Sequence, residues 1–94
     1  MPVFMVTWNL NHERANYPSA RAAFIQHLER YQNIQDSGLE SVRWISSNST
    51  AGQLFTDLQA RLDANDRLFV TQVMAGSHQG WLSRGVWDWI NARL

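Results

Sequence analysis

Residues 3–10 alternate with a period of two, and near the start both parities are apolar. Phe4, Val6, Trp8 and Leu10 fall on one side, and Val3, Met5, Thr7 and Asn9 on the other. A strand apolar on both sides is central in its sheet, or has its second face covered by something else. This feature dictates a sheet with a layer on each side, or one layer and a partner.

The rest of the chain supplies the pieces. Pro18 fits the first turn of a helix, and Tyr17, Phe24, Leu28 and Tyr31 recur at helical spacing with Ile25 beside them. The pattern predicts a helix of about four turns, with Gln26, His27, Glu29 and Arg30 on the wet side. Ser37-Gly38 is a turn signal. Val42 and Trp44 alternate with Ser41, Arg43 and Ile45 after it, and residues 32–36 would pair with them as a hairpin. Thr50 and Gln53 have the form of a capping box ahead of Leu54, Phe55, Leu58 and Leu62. Residues 63–66 end that helix, and residues 68–74 read as a strand. After a loop with two glycines, residues 81–94 read as a last helix. Trp81, Val86, Trp89 and Ile90 share a face of it, with Gly85 in its interior and Trp87 off the face.

Strand, helix, strand, strand, helix, strand and a final helix predict an α+β fold of ferredoxin-like type with an extra C-terminal helix. The length of 94 residues makes this a single domain, 1–94. Five Trp, four Phe and two Tyr are more aromatic surface than a monomer of this size hides easily, which points to a partner subunit. With helices on one sheet face, the other face is left for a dimer partner or the last helix.

Composition also bounds function. Eight basic and eight acidic residues give zero formal net charge, so no global pull toward nucleic acid is evident. Every basic residue is Arg, a side chain suited to bidentate contacts with phosphate or carboxylate, with genomic base composition as the competing reading. The absence of cysteine removes disulfides, thiolate metal sites and cysteine nucleophiles, and fits a cytoplasmic protein. No apolar run is long enough to span a membrane, and the first ten residues lack the pattern of a signal peptide.

The loop after the first strand holds the candidate chemistry. Asn9, His12 and Glu13 are polar groups at a strand's end, and His12 and Glu13 are of the types that take part in proton transfer or bind a metal. A solvated loop with a capping role is the competing reading. Arg14, Arg43 and Arg67 are the candidate nucleic-acid contacts, provided that folding gathers them on one side. His78, in a loop with Gly76 and Gly80, does not match a nucleotide-binding fingerprint.

Phe4-Met5-Val6-Thr7-Trp8-Asn9-Leu10 resembles the first strand of the CRISPR-associated protein 2 family, and Leu39-Glu40-Ser41-Val42-Arg43-Trp44-Ile45 resembles its third. Short bacterial SinR-like proteins are similar at Leu39 to Val42, at Ser49 to Leu54 and at Asn65 to Val70. The VapD toxins are more distant. The resemblance implies a homodimer joined through its sheets, acting on or holding nucleic acid. In the nuclease members an Asp at the end of the first strand holds a divalent ion, and the matching position here is Asn9. An amide oxygen ligates without charge and does little to hold a metal or activate water. The expectation is therefore a homodimeric binding or scaffold protein without hydrolytic activity or cofactor, with nucleic acid or another protein as its partner. A toxin-like endoribonuclease dependent on Mg²⁺ or Mn²⁺ is the alternative.

Overall fold

The computed structural model describes residues 1–13 and 15–94. Seven elements follow in order: β1 (Val3–Asn9), α1 (Tyr17–Leu28), β2 (Gln32–Ile34), β3 (Val42–Ser46), α2 (Ala51–Gln59), β4 (Arg67–Val73) and α3 (Arg84–Asn91). The strands form one sheet in the order β2-β3-β1-β4, every neighbouring pair antiparallel. The α+β expectation holds, and the doubly apolar β1 is an interior strand.

Register sorts the side chains. Phe4 faces Ile45 and Gln72, and Val6 faces Arg43 and Val70, so these share one face. There Val6, Trp8, Leu10 and Ile45 pack with Phe24 and Leu28 of α1 and Leu58 of α2. Phe24, Leu28 and Leu58 are fully buried, and the Trp8 and Phe24 rings meet at 5.1 Å. The other parity makes the second face. Val3, Trp44 and Val73 pack there against Val86 and Ile90 of α3. The last helix therefore covers one end of this face, while Thr7, Asn9, Arg67 and Phe69 extend beyond it toward the other end.

Local chemistry sets the element ends. Thr50 and Gln53 form the reciprocal capping box: Thr50 Oγ1 accepts from the Gln53 amide, and Gln53 Oε1 from the Thr50 amide. α1 stops at Leu28, short of the expected Tyr31. Its last turn tightens as the Arg30 and Tyr31 amides donate to the His27 and Leu28 carbonyls, which delivers the chain directly into β2. β2 is shorter than expected because Asp36 is taken up by a turn in which its Oδ1 accepts from Gly38 N at 2.9 Å.

The largest departure is α3, which begins at Arg84 and not at residue 81. The Ser83 amide donates to Asp36 Oδ2 at 2.8 Å, fixing the helix entrance against the β2–β3 connection. Trp81 consequently lies outside the helix and is 100% exposed, while Leu82 takes a place beside the second core cluster. Gly85 makes no close approach, since a Cβ there would meet nothing within 4 Å. Gly85→Ala is therefore expected to raise stability by about 0.5–1 kcal/mol in chemical denaturation. Gly76 is different: its φ of 80° closes the turn in which Ser77 N donates to the Met74 carbonyl.

Candidate functional site at the uncovered end of the sheet

β1 and β4 run side by side to the end of the sheet, where Asn9 and Arg67 are register partners and Thr7 faces Phe69. Asn9, Arg67 and Phe69 are all exposed, Phe69 at 61%. Together with Thr7, Trp8 and Leu68 they line a shallow depression. Arg67 is partly committed, its Nη1 donating to the Asp66 carbonyl at 3.1 Å.

The loop leaving β1 is held by a buried carboxylate. Asp66 Oδ1 accepts from Asn11 N at 2.8 Å, and its Oδ2 accepts from Asp63 N at 3.0 Å. One side chain thus ties the loop after β1 to the loop before β4. Asn11 Oδ1 then accepts from Glu13 N at 3.1 Å, and the His12 ring stacks on Tyr17 at 4.3 Å.

These positions answer the sequence expectations. Asn9 and Arg67 meet, and His12 and Glu13 lie in the adjoining loop. Arg14 lies outside the described residues. Arg43 is on the opposite face of the sheet, 8% exposed, donating to Glu29 Oε2 at 3.1 Å and to Asn33 Oδ1 at 2.8 Å. Its Nε is buried without a partner. Folding therefore does not gather Arg43 and Arg67 on one side, because residue parity sends them to different faces. Asn9 brings no charge, and among the described residues no three His, Cys, Asp or Glu side chains converge on a common point.

Two groupings were not legible in the sequence. The first joins α1 to α2. Arg30 and the Tyr31 hydroxyl donate to the Asp57 carboxylate, and His27 Nε2 lies 2.9 Å from the Asp57 carbonyl. His27, expected on the wet side, has a side chain only 13% exposed. Burial pushes the Asp57 carboxyl up, but the Tyr31 hydroxyl, Arg30 and His27 outweigh it and hold it below its ordinary value. Burial, reinforced by Asp57, pushes the Tyr31 phenol above its ordinary range. The helical spacing of His27, Arg30 and Tyr31 was visible, but their partner on α2 was not.

The second is a cleft of about 430 Å³ between the covered end of the second face, residues 74–83 and α3. Trp44, Trp81, Trp87 and His78 contribute to its walls.

No family model, curated protein or solved structure matches this chain. Among the described residues no helix is long and apolar enough to cross a membrane.

Proposed function

We propose that the chain is a homodimeric binding or scaffold module of ferredoxin-like type, cytoplasmic and without hydrolytic activity of its own. One observation carries the reading: Phe69 stands 61% exposed on an edge strand, at the end of the sheet that α3 leaves bare. β4 is seven residues long, contains no proline and has Arg67 as its single charge. An edge of that kind is a template for pairing with another strand unless something covers it. A second copy related by a twofold axis presents the same edge and the same aromatic ring, so one surface satisfies both subunits.

The strand order and the resemblance to the CRISPR-associated protein 2 and SinR-like proteins support the same assembly. The uncharged Asn9 supports a holding role over a cutting one, with nucleic acid or another protein as what is held. The dimer would place two Asn9–Arg67 pairs near its seam, where the partner's polar groups can reach them.

Phe69→Glu places a charge at the proposed seam and is expected to weaken self-association at least about a hundredfold, as loss of a central aromatic anchor does. Sedimentation at several concentrations reads this. Unchanged association would remove Phe69 from the interface. Incubation with single- and double-stranded RNA and DNA, with Mg²⁺, Mn²⁺ or chelator, is expected to leave the strands intact. Metal-dependent cleavage that Asn9→Ala abolishes would establish the endoribonuclease reading in its place.

A further inference from the structure

The cleft on the second face is not used by the reading above. It forms where β1 and β4 supply Met5, Thr71 and Val73 as a floor, and Trp87 and Ile90 of α3 form a wall. Its volume of about 430 Å³ lies within the roughly 300–1,000 Å³ typical of small-molecule sites.

The lining has a definite chemistry. It contains no Asp, Glu, Lys or Arg, so no permanently charged side chain there pairs with a phosphate, a carboxylate or an ammonium group. Three of the five Trp contribute to it, and aromatic walls favour planar ligands through stacking. Trp81 stands at the rim, wholly exposed.

His78 supplies direction. Its ring stacks on Trp87 at 5.8 Å, and its Nδ1 lies 2.8 Å from the Met74 carbonyl. A carbonyl only accepts, so Nδ1 carries the proton in that bond. In the neutral ring Nε2 is then the unprotonated nitrogen, an acceptor on a residue that lines the cleft. The Met74 carbonyl is itself fixed by the turn that Gly76 closes, so ring orientation is built into the fold.

We infer that this cleft binds a small, uncharged, planar heteroaromatic molecule that stacks against its tryptophans and donates a ring N–H to His78 Nε2. The absence of Lys and Arg from the lining favours a free molecule over the base of a polynucleotide. The inference is independent of the dimer, since it rests on the cleft beneath α3 and not on Phe69.

Indole and 1-methylindole are the probes, because the second replaces the ring N–H by N–CH3, and the His78→Phe comparison separates the lost donor from the added methyl. Binding to the full-length protein is followed through the Trp side-chain N–H signals in heteronuclear NMR spectra. Indole is expected to shift the Trp44 and Trp87 signals saturably, and 1-methylindole to bind about tenfold more weakly for want of one hydrogen bond. His78→Phe keeps the stacked ring but removes the acceptor, and is expected to make the two ligands equal. Thr71→Trp fills the floor of the cleft from a strand position that accepts aromatic residues, and is expected to abolish binding while the backbone spectrum stays native. No saturable shift with indole, equal affinity of the two ligands for the unaltered protein, or a preference that survives His78→Phe would each overturn the inference.

Discussion

Asp36→Ala is expected to release α3 from the sheet. A single carboxylate joins the β2–β3 turn to the entrance of the last helix, accepting from Gly38 N and from Ser83 N. α3 is eight residues long, and an isolated helix of that length does not persist in water. Its place depends on Val86 and Ile90 packing on the sheet and on this anchor at its start. Without the carboxylate, hydrogen exchange at residues 84–91 should rise toward that of unprotected chain, and the Trp emission should move to longer wavelength. Asp36→Asn has one acceptor oxygen in place of two and should fall between. Unchanged exchange protection in Asp36→Ala would mean that packing alone holds the helix.

The second large effect is expected at Asp66. It is buried and accepts from the amides of Asn11 and Asp63. Asp66→Ala leaves both donors without this acceptor, at a cost of about 2–3 kcal/mol if neither is rehydrated. The loss should be local as well as global. Exchange at residues 11–13 should accelerate more than at β1, because the carboxylate is what fastens that loop to the start of β4. Uniform destabilisation with no preferential loosening of the loop would contradict this account.

Acid should act through Asp36 and Asp57. The Ser83 and Gly38 amides hold the Asp36 carboxyl below its ordinary value. Despite its burial, Asp57 is held low by Tyr31, Arg30 and His27. Near the ordinary aspartate value of about 3.9 the unfolded chain binds more protons than the folded one. Their contribution is therefore fully present above that pH and is lost as pH falls through the lower folded-state values. The Asp36→Asn/Asp57→Asn double variant should be less stable at neutral pH, and its stability should fall less steeply in acid. Denaturation midpoints across the acid range provide the comparison.

What could be read from the sequence was local. The period of two in β1, the Thr50–Gln53 box and the turn at Ser37-Gly38 are written within a few neighbouring residues, and each appears where its pattern places it. What failed depended on distant residues. Trp81 fits the helical stripe of Val86 and Ile90, but the bond from Ser83 to Asp36 starts the helix three residues later. His27 looks solvated on α1 until Asp57 of α2 is set beside it. Arg43 and Arg67 both look like free cations in the chain. The pairing of Arg43 with Val6, and of Arg67 with Asn9, decides that only Arg67 faces the open surface. The Asn9–Arg67 meeting follows from the same register, which no single strand reveals. The cleft is less legible still, because its lining comes from β1, β3, residues 71–82 and α3 and its His78 acceptor depends on the Met74 carbonyl.

Sedimentation equilibrium of the unaltered protein across the micromolar range tests the central claim most directly. A mass near twice 10.9 kDa that holds on dilution is the predicted result. A mass of 10.9 kDa throughout would contradict the dimeric module and leave Phe69 and the β4 edge exposed for some other partner.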